Sequence, residues 1–538
     1  MRSVIFILIL GLFCFFPTLC SAANKEKILF IPHDARPICF QQTAEVIEQL
    51  GYEVLTPPEE FFGGKGDYMG QPDELWKWLE SNVKSAKIAV IAADSLFYGG
   101  LIPSRKHEIS QSVIDSRLER FKALHINNPN MKIYVFASLM RTPQEGVAGF
   151  TEEPDYYVTY GNRIFNLTAL MDKSELAYLS ASEQQELCAL KSSIPSEILN
   201  DWFSRREKNL AVTKQFIDLL DQNFISYLIV GRDDNSPFCQ THKENRELKI
   251  YAEKYNLPKT KFQSLAGIDE FGLLLLTRAV NDLRGETPTI SVKFNKGKGS
   301  KTVPDFSDEE IGNSIENAAA LAGGKLVDEP KGADFVLLVN TDPNGKTYQL
   351  HNALPDSAIK LDQKKLDKNA ENFANMVYEY IEAGYPVGIA DIAFANGSDN
   401  ALMENLYNTG LLFKLQAYSG WNTATNSTGF VLGTGMLAKN MSNSSKDKLL
   451  IRRYLDDWAY QANVRTIIGE QLFNSREGGS IYYNLGTHTR AVADRVTWLM
   501  REFAAKKLPP FDYLKKFDVT LPWNRMFECS IDFPLENK

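Results

Sequence analysis

The sequence predicts an α/β protein with parallel β-strands and alternating helices. Three observations carry that expectation. Short apolar runs recur along the chain, among them Ile28–Ile31, Ile88–Ile91, Tyr134–Ala137 and Tyr227–Val230. Between them lie longer stretches with apolar residues at helical spacing. Each run also ends in a cluster of acidic, Arg or Asn residues, and in a parallel sheet the carboxyl ends of the strands share one edge where ligands bind.

The first 23 residues form a separate segment. Arg2 supplies a short positive region, Val4 to Phe16 an apolar one, and Cys20-Ser21-Ala22-Ala23 a small-residue cleavage site, so an exported protein is expected. Leu19 before Cys20 argues against a lipoprotein box. No later run approaches the roughly 18 apolar residues of a membrane span. The remainder, roughly 515 residues, suffices for two or three domains. A net charge of −8 without any Lys/Arg block makes nucleic acid and anionic membranes poor partners. After the leader only Cys39, Cys188, Cys239 and Cys529 remain, with no C-x-x-C, so a cysteine zinc site is not expected and any disulfide pairing stays open.

Strand and helix alternate from Lys27 to about Arg284, with helices expected at Thr43–Leu50, Asp73–Asn82, Gln111–Leu124, Leu199–Asn223, His242–Tyr255 and Phe271–Leu283. The alternation lapses between Thr142 and Ile194, a tyrosine-rich loop with a helical stretch at Ser174–Leu190. Long connections at strand ends are more often functional than incidental, which makes this one a candidate lid. A linker rich in Gly, Lys and Pro (Gly285–Pro288 and Lys296–Pro304) marks a boundary. The expected division is therefore an N-terminal α/β domain over 24–285 with an insertion at 142–198, a second α/β domain over 289–440, and a mostly helical region over 441–538. Periodicity leaves two architectures open: two doubly wound lobes, or a (β/α) barrel plus a second α/β part.

The strand-end clusters supply the candidate site. Asp34 and Arg36 follow the first strand, Asp94 and Tyr98 precede Gly99-Gly100, and Arg105 and Arg141 follow. Arg232-Asp233-Asp234-Asn235 is the sharpest cluster, because adjacent carboxylates can be driven to different proton affinities and so divide acid and charged roles between them. Asp233 and Asp234 are the catalytic candidates. Asp269-Glu270 opens a helix, where acidic residues also complement the helix dipole. Asp391, Asn396, Trp421 and Asn422 resemble a sugar platform, with a ring for the apolar sugar face and polar groups for hydroxyls. The carboxylates could instead hold Mg²⁺ or Ca²⁺, but there is no D-x-D-x-D-G loop and no H-x-x-x-H spacing, so no cofactor is required.

As a set these stretches resemble an uncharacterised bacterial family, domain of unknown function 4127. The resemblance rests on His33 to Pro37, Asp94 to Arg105, Asp233-Asp234 through Pro237, Gly267 to Gly272, Ala390 to Gly397, Gly420 to Ala424, and Leu521-Pro522-Trp523-Asn524-Arg525. It spans nearly the whole mature chain and implies no established chemistry. The Asp-Asp pair is also similar, over two residues, to that of substrate-assisted N-acetylhexosaminidases on a (β/α)₈ barrel. The residues themselves point to a hydrolase acting on a polar, glycosidic substrate by carboxylate acid/base chemistry. The alternatives are a solute- or carbohydrate-binding protein and a metal-dependent hydrolase.

Overall fold

The computed structural model describes residues 25–147, 151–349, 363–474, 480–509 and 511–534. The expected leader lies outside them. Among the described residues there are fifteen strands, all short: β1 (Lys27–Ile31), β2 (Glu53–Leu55), β3 (Ile88–Ala92), β4 (Lys132–Leu139), β5 (Tyr227–Arg232), β6 (Phe262–Ala266), β7 (Thr289–Phe294), β8 (Lys325–Leu326), β9 (Phe335–Asn340), β10 (Tyr348–Gln349), β11 (Val387–Asp391), β12 (Phe394–Ala395), β13 (Ala417–Ser419), β14 (Asp518–Thr520) and β15 (Ser530–Asp532).

Six of them make a parallel sheet in the order β2-β1-β3-β4-β5-β6, and five make a second in the order β13-β11-β9-β7-β8. Both sheets are open, which rules out the barrel and with it the likeness to barrel hexosaminidases. Each starts from its second element, reverses, and then runs on in one direction. Such an order creates a switch point, between β1 and β3 in the first sheet, where ligands bind at the strand ends.

Alternation along each strand decides what faces what. In β1, Ile28 and Phe30 look towards the second sheet while Leu29 and Ile31 look outward. In β9, Phe335 and Leu337 look towards the first sheet and Val336 and Leu338 outward. Between the sheets lies a shared helical layer that includes Phe271–Arg284, Ile311–Leu321 and Ala424–Ala438, and one continuous apolar core runs through it. The outer face of the first sheet packs on Trp76, Phe121 and Phe216, and that of the second on Phe373, Trp458 and Val496.

The expected helices form, and one segment differs from expectation. The stretch from Ala93 makes two short helices, Ala93–Tyr98 and Leu101–Lys106, hinged at Gly99-Gly100 with φ of 100° and 147°. The tyrosine-rich insertion is largely helical, with Tyr157–Leu176 and Ala181–Ser193. Ala424–Ala438 is a helix with no amphipathic signal, because it is buried all round. Its glycines make that possible: a Cβ on Gly429 would strike Glu270, one on Gly433 would lie 2.7 Å from Leu273, and one on Gly435 would overlap the Phe335 ring. The four cysteines are unpaired, and Cys39, Cys239 and Cys529 are buried.

The glycine packing is testable. Gly435→Ala gains about 1 kcal/mol of helix propensity but forces a methyl into an aromatic ring, an overpacking cost of about 1–3 kcal/mol. A net loss of stability is expected in urea unfolding, and a gain would mean that the helix Ala424–Ala438 and β9 are not in close contact there.

Candidate functional site

The carboxyl ends of β1, β4, β5 and β6 meet those of β12 and β13 around a cavity of about 220 Å³. Its wall contains Asp34, Arg36, Arg105, Arg141, Asp233, Asp234, Asp269, Asn396 and Asn422, so nine of the fourteen residues singled out from sequence converge there. Glu152, Phe306, Thr423, Trp523 and Phe527 complete the polar and aromatic lining.

Asp269 is the densest node. His33 Nε2 lies 3.1 Å from its Oδ1, Arg36 Nη2 donates to the same oxygen, and the Cys39 thiol donates to it at 3.6 Å. From the other sheet Asn422 Nδ2 and Asn426 Nδ2 donate to Oδ2 at 3.2 and 3.0 Å. Arg36 Nε also donates to Asp34 Oδ2 at 2.8 Å, and Asp34 Oδ1 accepts the Arg36 backbone N–H at 2.9 Å. Burial opposes every charge here. Arg36 and His33 nevertheless hold Asp34 well below the usual carboxylate range and Asp269 below it too. Burial likewise pulls His33 down, but Asp34 and Asp269 outweigh it and raise the imidazole well above its ordinary value. Two anions and two cations thus balance in a dry site.

A second node is Glu152. Arg105 Nη1, Arg141 Nη2 and Arg525 Nη1 approach its carboxylate at 3.1, 2.8 and 2.7 Å. Burial would raise its proton affinity, but the three guanidinium groups lower it. Arg105 also pairs with Asp233, and Arg141 Nη1 donates to Asp234 Oδ2 at 2.8 Å. Burial, and then the charge of Asp233, push Asp234 up to about 6. Each of the two adjacent aspartates is thus held by its own arginine.

Among the described residues, eight other than glycine have positive φ, and five of these line the cavity: Asp234, Phe306, Asn396, Asn422 and Trp523. Left-handed backbone is tolerated by Asn and Asp but is an outlier for Phe and Trp, and such strain clusters at functional sites. Phe306 is presented by the segment after β7. Arg232 grips Asp308 and Glu309 at 2.8 and 3.1 Å, and the Asn235 N–H donates to Phe306 O at 3.2 Å. Phe306 is 41% exposed.

Five expected contact residues do not line this cavity. Asp94 is buried behind it, accepting the Ser138 N–H at 3.0 Å, and burial raises its carboxyl to about 6. Tyr98 is buried and stacks on His107 at 4.5 Å. Glu270 makes no side-chain cap; its chain runs between Gly267 and Gly429, and burial drives it well above the usual range. Asp391 accepts from Asn340, Tyr418 and the Asp399 N–H at 2.9, 2.9 and 2.7 Å. Trp421, the expected sugar platform, is only 2% exposed and packs edge-on against Phe430 in the core between the sheets. A ring on that face of the loop completes the apolar layer, so the aromatic wall comes from elsewhere. Trp523 and Arg525 had a signal, since Leu521 to Arg525 stands among the segments of the family resemblance. Glu152 lies in the candidate lid, and Phe306 just past the linker.

His33, Asp34 and Cys39 place three donor atoms within 4.8 Å of one another, a possible metal set. The residues do not fit one. Arg36 already bonds Asp34 and Asp269, and burial raises the Cys39 thiol, which opposes the thiolate a metal needs. Asp233 and Asp234 likewise have guanidinium partners.

Fold and site together define a two-sheet α/β protein with a charged, strained cavity between the strand ends. The chain belongs to the family described as "Protein of unknown function (DUF4127)", which matches residues 28–532. Comparison with curated proteins finds no match.

Removing Asp269 uncovers two buried cations. Asp269→Ala is expected to cost about 3–5 kcal/mol in urea unfolding. Because the folded carboxyl is held below its ordinary value of about 4, the gap to wild type is full above that pH and shrinks as pH falls. A pH-independent gap would show that charge is not what Asp269 contributes.

Proposed function

We propose that this chain is an exported hydrolase that cleaves a glycosidic bond in a polar saccharide. Asp234 is the general acid, and Asp233, paired with Arg105, is its charged partner. The observation that carries the reading is the pair of adjacent carboxylates at the cavity wall, each against its own arginine, in which burial and the charge of Asp233 keep Asp234 protonated to about pH 6. An acid poised there can protonate a leaving-group oxygen near neutral pH, and general acid catalysis is worth roughly 10²–10⁴ in rate. Asn396, Asn422 and Thr423 offer groups for hydroxyls, and the exposed Phe306 ring offers an apolar face for a sugar.

The cavity wall has five acidic residues against three arginines, and each arginine is already engaged by carboxylates. That balance favours a neutral, polyhydroxylic unit at the reacting position over an acidic one. The rival reading is a binding protein whose two lobes close on a solute. It is weakened by the continuous core between the sheets, which leaves no hinge plane for the lobes to move about. Export rests on the leader-like first 23 residues. Secreted protein should begin near Asn24 by N-terminal sequencing, and an intact Met1 would remove this part of the reading.

Asp234→Asn should lower turnover about 10²–10⁴-fold on any glycoside the wild type cleaves, and wild-type kcat/KM should fall as pH rises through about 6. Undiminished activity in the variant would refute the assignment. Stability supplies an independent check. The folded protein holds this proton to a higher pH than the unfolded chain does, so its stability declines between about pH 4 and 6. Asp234→Asn should remove that part of the slope from the urea midpoint.

A further inference from the structure

The reacting cavity is small for the ligand assigned to it. At about 220 Å³ it falls short of the roughly 300–1,000 Å³ common for ligand pockets. A second cavity of about 320 Å³ shares Trp523 as a wall residue, and the two together fall within that range.

The partition is a built feature. Trp523 and Asn524 are consecutive left-handed residues, with φ of 61° and 56°, and a tryptophan does not adopt that backbone without cost. The turn they make sets Trp523 in the wall of both cavities, with the Arg36 and Arg525 guanidinium groups 5.8 and 4.7 Å from its ring centre. Gly64 backs the ring from the opposite segment. It has φ of +122°, and a Cβ there would lie 3.0 Å from Cζ2 and Cη2, so only glycine permits both the loop and the contact. The Gly64 N–H donates to Tyr68 O at 2.9 Å, closing the loop behind it.

On this side the lining changes character. Lys65, Thr151, Tyr483, Asn484, Asn524 and Arg525 supply an ammonium, a hydroxyl, a phenol, two amides and a guanidinium, and among the described residues no carboxylate lines it. Such a wall can bond sugar hydroxyls but has no acid to cleave a glycoside. We propose that the second cavity is a sugar subsite, so that the substrate is a chain of at least two units lying across Trp523, with the bond to be cut on the Asp233-Asp234 side. The inference rests on the hydrolase reading for the identity of the ligand, and its test does not require turnover.

The experiment is calorimetric titration of Asp234→Asn protein with one- to four-unit oligomers from cellulose, chitin and polygalacturonate. In at least one series affinity should rise tenfold or more from one unit to two. The double variant Lys65→Ala/Thr151→Val, made in the same background, should abolish that rise while changing one-unit affinity less than twofold. Equal affinity for one and two units in every series, no binding in any series, or a rise that survives the double variant would each overturn the proposal. Wild-type protein assayed in parallel separates the two ideas. A length-dependent gain without cleavage would retain the subsite and remove the hydrolase, and cleavage without a gain would do the reverse.

Discussion

One buried carboxylate holds the two sheets in register. Asp269 stands at the end of β6 and takes hydrogen bonds from His33, Arg36 and Cys39 beside β1 and from Asn422 and Asn426 beyond β13. A charge out of water is tolerable only when its lone pairs are satisfied. Here the donors come from both sheets, so separating the sheets at this edge would strip the anion of two of its five partners. The apolar layer around Leu273 and Val431 attracts the sheets without direction. The Asp269 network adds the direction, because hydrogen bonds fix distance and angle where dispersion does not.

Glu152 extends the same logic to the periphery. By gathering Arg105, Arg141 and Arg525 it ties the insertion and the C-terminal segment to the first sheet, and through Arg525 it fixes the turn that carries Trp523. Arg232, with Asp308 and Glu309, does this for Phe306. Backbone strain at Asp234, Phe306 and Trp523 is held by ion pairs of this kind, which explains why outliers and salt bridges occur together around the cavity.

Much of the site was legible because parallel-strand topology puts polar residues after apolar runs at one edge. Asp34, Arg36, Asp233, Asp234 and Asn422 needed no more than that. Ranking them was beyond local pattern. Asp269 reads as a residue of a helix's first turn, and its partners lie 157 positions away at Asn426 and 236 at His33. Trp421 beside Asn422 has the composition of a sugar platform, yet neighbours alternate in direction, and the amide faces the cavity while the ring faces Phe430. The helix Ala424–Ala438 was invisible to periodicity since both its sides are buried, and its Gly, Ser and Thr residues favour a helix only when packing excludes water.

By itself the sequence determined the α/β class, the family and the strand-end position of most of the cavity residues. Those follow from interactions close along the chain: hydrophobic period, turn residues and the edge shared by parallel strands. Tertiary structure decided that the sheets are open and stacked through one helical layer, and that clusters from both converge on one cavity. It also decided which aromatic rings reach that cavity and which carboxyl keeps its proton. These depend on burial and on the field of distant charges, and neither is a property of a residue's neighbours in sequence.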